Sequence, residues 1–282
     1  MSESAMKANG VVPIPAPRRD RVQSLDRALD VLEALAGGRE LGVSEVAART
    51  GLVVSTAHRL LGGLADRGYV AQNRANGRYA LGYKVVELAA GLQARTASLR
   101  AAARPELEAL QAATGETINL VILDGDRVVY VDQVEGSHSV RMFTELGSSA
   151  LAHTTGSGKA ILAHLPPASI SRLYPPVREP LEKLTDHTLT TLDVLRDDFV
   201  RIRHRGYALD SEEHEEGVTC VATAVFDAAG RACGALSVSG PTARIVHLGT
   251  SELGQRLRRH AALVSSGLGY DEGPGTARAD VG

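Results

Sequence analysis

The chain has 282 residues, 31 Lys plus Arg against 33 Asp plus Glu, and a formal net charge of −2, so as a whole it lacks the basic excess usual in nucleic-acid binders. Its length suggests roughly two domains at about 150 residues each, no apolar run nears the roughly 18 residues of a membrane span, and the polar, Pro-rich start (Pro13, Pro15, Pro17) is unlike a signal peptide. The expected setting is therefore the cytoplasm, but residues 1–100 hold 14 basic and 9 acidic side chains (+5) while residues 101–282 hold 17 and 24 (−7), an asymmetry that asks whether the front of the chain meets phosphate.

Residues 1–20 read as a disordered tail, since they offer little to bury. From Ser24, a plausible N-cap, Leu25, Ala28, Leu29, Leu32 and Leu35 recur at helical steps and predict one buried face, stopped by Gly37-Gly38. A second helix is expected at about 44–50, capped by Ser44, with Val46 and Ala47 inward and Gly51 as breaker. A third follows at about 55–67 on Leu60, Leu61 and Leu64. Its Gly62-Gly63 pair costs helix propensity, and close approach to a neighbouring helix would account for it. Two short strands, 69–71 and 79–81, flank a turn containing Asn76-Gly77, in which both residues tolerate positive φ. Three helices and a hairpin over 21–82 have the order of a winged helix-turn-helix.

A helical stretch occupies 83–114, with Leu88, Leu92 and Leu99 on its apolar side. Pro105 predicts a break and a new helix, which makes 83–100 a linker helix and 101–266 a second domain. Strands are expected at 118–123, 127–134, 139–143, 207–210, 218–226 and 232–239, and helices at 156–165, 168–174, 191–205 and 250–266. Hairpins dominate that order, so the class is α+β, with a largely antiparallel sheet and helices packed on it. The Gly-rich end, 267–282, reads as a flexible tail.

In the front domain, two short helices joined through Gly51 can seat the second in a DNA major groove. Ser55, Thr56, His58 and Arg59 would then face base edges and phosphates, with Arg59 able to pair guanine bidentately. Arg74 and Arg78 on the wing, and Ser44 on the preceding helix, complete the candidate DNA-contacting set. Residues 43–82 hold five basic and two acidic side chains, a local excess of +3. Three helices and a hairpin also build modules that never touch DNA.

The sequence resembles the IclR-type family of bacterial transcription regulators. The likeness lies in VQSLDRALDVLEAL (22–35), SEVAARTGL (44–52), STAHRLLGGLADRGYV (55–70) and RYALG (78–82). It continues in HTTGSGKAILA (153–163), GYALDSEE (206–213), GVTCVATAVFD (217–227) and ALSVSGP (235–241). Val53-Val54 depart from the family's usual polar or basic residues, so no base contact is expected from Val54. The resemblance implies a winged helix-turn-helix domain, a linker helix and a GAF-like α/β effector-binding domain. It also implies a homodimer, commonly paired into a tetramer, on palindromic or repeated double-stranded operator DNA.

Pocket-lining positions of the family fall here on Met142, Ala150, Gly156, Ser157, Asp210, Val218, Cys220, Ser237 and Ser239. The residue choices make chemical sense on their own. Gly156-Ser157-Gly158 opens a helix whose N–H groups suit a carboxylate, Ser237 and Ser239 alternate onto one sheet face, and Val218 and Cys220 do so on the next strand. A buried Asp210 would ask the effector for donors. A small polar metabolite is expected, such as a glyoxylate-like oxo or hydroxy acid or a ureide such as allantoin, acting on a repressor.

The same residues raise other classes. Ala160 stands where a nucleotide P-loop needs Ser or Thr, and Thr154 occupies the first Gly position of a nucleophile elbow. His153, Ser157, Lys159, Asp210 and Cys220 supply groups a hydrolase or lyase could use, but no spacing ties a nucleophile to a base, so no catalytic residue is assigned. The acidic run Glu212, Glu213, Glu215 and Glu216 reads as a solvated loop. The two cysteines, Cys220 and Cys233, form neither a disulfide framework nor a four-ligand zinc site, and His138, His153 and His187 lack metalloprotease spacing, so no metal and no cofactor is expected. An activator answering an aromatic acid and a module binding a cyclic nucleotide are the remaining alternatives.

Overall fold

The computed structural model describes residues 22–142 and 144–271; the expected tail 1–20 and the chain from 272 onward lie outside them. The chain divides into two compact units between Arg95 and Thr96.

The first unit holds α1 (Gln23–Leu35), α2 (Val43–Thr50), α3 (Val54–Asp66) and an antiparallel hairpin of β1 (Val70–Gln72) and β2 (Tyr79–Leu81). Val31, Leu35, Leu41, Val46, Ala57, Leu61, Val70 and Tyr79 fill its core. Several local expectations are corrected. Helix α1 begins before Ser24, behind an extended Val22 with no side-chain cap, and Leu25 and Leu29 of the expected buried stripe are exposed. Ser44 lies inside α2 rather than capping it; Gly42 precedes the helix, and its N–H donates to Glu45 Oε2 at 2.8 Å. A side-chain atom added at Gly62 or Gly63 would meet nothing within 4 Å, so no helix approaches them. In the hairpin, only Gly77 takes positive φ (71°). Asn73 and Asn76 donate to the Glu40 carboxylate at 2.9 and 2.8 Å, and those side-chain bonds hold a connection longer than a two-residue turn.

Helix α4 (Lys84–Thr114) runs unbroken through Pro105. The expected break does not occur because Pro105 and Ala101, whose carbonyl loses its helical donor, are both solvent-exposed. The second unit is built on a six-stranded antiparallel sheet in the order β5-β4-β3-β8-β7-β6: β3 (Thr117–Asp124), β4 (Arg127–Val134), β5 (Ser149–Leu151), β6 (Ala208–Ser211), β7 (Val218–Phe226) and β8 (Ala232–Pro241). Residues 139–143 form no strand as far as they are described. The Val140 carbonyl accepts from Arg244 and that of Met142 from Thr117 Oγ1, so side chains rather than a ladder satisfy this stretch, and Ser149–Leu151 takes the sheet edge instead.

One sheet face packs Ile118, Leu120, Val221, Leu236 and Val238 against Leu99, Ala103, Leu107 and Leu110 of α4, and against Leu253, Leu257 and Val264 of α9 (Thr250–Gly267). The other face carries α5 (Gly156–Leu162), α6 (Pro167–Leu173) and α7 (Leu192–Arg205) over Val121, Val128, Ala150, Cys220, Ala222 and Ala235. A short helix that the periodicity did not announce, α8 (Thr242–Leu248), follows β8 directly. Beyond α9 the chain stays packed as far as Tyr270, whose ring stacks on Phe226 at 5.3 Å.

Candidate functional site

Helix α3 presents Ser55, His58 and Arg59 to solvent, with Thr56 half-buried, while Ala57 and Leu61 anchor the opposite side in the core. The exposed residues recur at helical spacing, so they share one stripe. Arg59 and Arg74 have no ion pair among the described residues. Arg78 does: its guanidinium pairs with Glu45 at 2.5 Å and donates to the Glu40 carbonyl at 3.1 Å. It thus braces the hairpin against α2, and Arg74 is the freer wing cation. Ser44 is exposed near the start of α2, and Val53 and Val54 are exposed beside Ser55.

In the second unit, strand register assembles a polar row. Asp210 of β6 lies opposite Cys220 of β7, Cys220 opposite Ser239 of β8, and Ser239 opposite Thr117 of β3. Ser237 sits two residues along on the same face. The Ser237 and Ser239 hydroxyls and the Ser157 N–H lie beside the Cys220 sulfur and favour its ionised form, yet burial, reinforced by Asp210, pushes that thiol up to about 12. It stays protonated, so no thiolate nucleophile is available there. Gly156 lies against the same residue: a side-chain atom at 156 would come within 3.3 Å of Cys220 Sγ. Thr155 caps α5 by accepting the Gly158 N–H at 3.0 Å.

Asp210 is 3% exposed. Its Oδ1 accepts the backbone N–H of Glu213 at 2.8 Å and of His214 at 3.3 Å. Burial, with the Glu213 carboxylate next in size, raises its pKa to about 7, against the lowering effect of the Glu213 N–H and Lys159. Of the other positions read from sequence, Val218 lies at the end of the same face, and Met142 reaches it through the Thr117 bond to its carbonyl. Ala150 does not join the row: it is on β5, at the opposite edge of the sheet from Asp210.

Two features escaped the sequence reading. A bulge between Leu120 and Val121 shifts the β3–β4 register, which turns Tyr130 onto the Asp210 face; burial raises its pKa, with Cys220 and Asp210 adding to the effect. Beneath α5, Lys159 is 1% exposed and pairs with Glu213 at 2.6 Å and Asp198 at 2.9 Å. Glu213 is therefore a buried ion-pair partner and not part of a solvated loop, while Glu215 and Glu216 are exposed as expected. An unpaired buried charge is costly, so this network fixes the loop that supplies both N–H groups to Asp210.

A winged helix-turn-helix unit followed by a sheet unit that buries a polar row is the architecture of a DNA-binding transcriptional regulator. The chain belongs to the IclR family: a signature described as the IclR helix-turn-helix domain matches residues 24–74, and one described as bacterial transcriptional regulator IclR C-terminal matches residues 93–266. It is 38% identical over 247 residues to the HTH-type transcriptional regulator BhcR of Paracoccus denitrificans, covering 88% of each chain. It is 34% identical over 274 residues to the transcriptional repressor IclR of Escherichia coli, covering 92% of this chain and 98% of that one. The crystal structure of Thermotoga maritima IclR superposes with a TM-score of 0.72 at 33% identity, over 89% of this chain and 100% of the other. These relatives are regulators and not enzymes. No helix among the described residues is long and apolar enough to cross a membrane.

Proposed function

We propose that this regulator is a cytoplasmic repressor that binds operator DNA through α3 and the wing and answers a small polar acid bound at the Asp210 row. The observation that carries the effector reading is that row itself: Asp210, Cys220, Ser237 and Ser239 meet on one face beside the start of α5. Its lining is polar, which favours an oxo or hydroxy acid or a ureide over an aromatic acid. Homologues named as repressors, IclR and AllR of Escherichia coli among them, support repression. Exposed Leu25 and Leu29, one turn apart on α1, offer an apolar stripe to a second copy, in keeping with a homodimer that can pair into a tetramer.

A mobility-shift assay on the upstream intergenic DNA, with and without glyoxylate, pyruvate and allantoin, tests this reading. Arg59→Ala is expected to weaken operator binding about tenfold or more, as loss of a bidentate base contact worth roughly 1–3 kcal/mol would, with effector affinity intact. Asp210→Ala is expected to keep DNA binding and lose the effector response. Unchanged DNA affinity in the first variant removes Arg59 from the interface; an unchanged response in the second moves the effector site elsewhere.

A further inference from the structure

Asn119 and Gln133 are cross-strand partners on β3 and β4, and Asn119 is also opposite Ser237 on β8. Ser237 shares the sheet face of Ser239 and Cys220, so Asn119 stands one strand, roughly 4.8 Å, from the polar row and on its face. Asn119 is 2% exposed, and neither its Oδ1 nor the buried Oε1 of Gln133 has a hydrogen-bond partner. The next residue on that face, Thr117, is fully engaged: its hydroxyl donates to the Met142 carbonyl and accepts the Gly136 N–H. Buried carbonyl oxygens are ordinarily bonded, and two adjacent ones left open on the face of the polar row call for donors from outside the chain.

We propose that Asn119 and Gln133 form a second recognition subsite, at which the effector's end remote from its carboxylate donates hydrogen bonds from at least two N–H or O–H groups. The proposal rests on the effector-site reading above and narrows it: a simple oxo acid fills the Asp210 row but leaves the two amide oxygens open. Both ureido acids and polyhydroxy acids meet the requirement.

Calorimetric titration of the full chain with N-carbamoylglycine, D-glycerate and pyruvate tests it, the first two carrying ureido and hydroxyl donors and the third none. At least one donor-bearing acid is expected to bind tenfold or more tightly than pyruvate, and which one does so distinguishes the two chemistries. Asn119→Leu and Gln133→Met keep the side-chain shape and remove the oxygens. Each is expected to erase most of that preference, to leave pyruvate affinity within about twofold, and to leave the melting temperature of the ligand-free protein unchanged or raised. Equal binding of all three acids, a preference that survives in both variants, or a lowered ligand-free melting temperature in both overturns the proposal. Pyruvate binding that depends on Asp210 in those cases leaves the broader reading standing; binding of none of the three overturns both.

Discussion

Asp210 shows what burial does to one carboxyl. Its folded-state pKa of about 7 lies above the ordinary value of 3.8, so the folded chain retains a proton that the unfolded chain releases over that interval. By linkage, the contribution of Asp210 is fully present below about pH 4 and is lost as pH rises toward 7. At roughly 1.4 kcal/mol per pKa unit, the neutral analogue Asp210→Asn is expected to gain up to about 4 kcal/mol over the wild type between pH 4 and 8. Urea unfolding of both proteins across that range measures it; a difference that does not grow with pH refutes the raised pKa. Alternation along the strands made Asp210, Cys220, Ser237 and Ser239 legible as neighbours. The place of Tyr130 and the pairing of Lys159 with Glu213 and Asp198 were not, because a one-residue bulge and three-dimensional ion pairing leave no trace in spacing; Asn119 follows plain alternation with Thr117, and only the strand pairing brings Gln133 beside it.

At the scale of elements, periodicity located most helices and strands and erred where a side chain does the work of a ladder. The 139–143 stretch looks like a strand, but its carbonyls are met by Arg244 and Thr117. Pro105 looks like a break, but its freed acceptor faces solvent. Helix α3 offers a test of propensity alone. Gly62 and Gly63 are exposed, have no positive φ, and have open space where a side chain would go. Gly62→Ala and Gly63→Ala are each expected to stabilise the first unit by about 1 kcal/mol, read as a higher melting temperature. A destabilised variant would mean that a neighbour absent from the single chain already occupies that space.

For the whole molecule, the net charge of −2 hides a basic front of +3 over residues 43–82; the neutral Arg78–Glu45 pair leaves that excess unchanged, carried by Arg49, Arg59, Arg67 and Arg74 against Asp66. One such unit can neutralise only a few phosphates, about three or four, and a pair six to eight. With a slope of roughly −0.9 per phosphate neutralised, the logarithm of operator affinity is expected to fall against the logarithm of salt concentration with a slope of about −5 to −7 if two units act together. Leu25→Glu combined with Leu29→Glu places charge on the exposed α1 face without entering the core. That double variant is expected to be monomeric by sedimentation, to bind the operator at least a hundredfold more weakly, and to show about half the salt slope. If it binds as a monomer with undiminished affinity at high salt, two units are not required and α1 is not the surface that joins them.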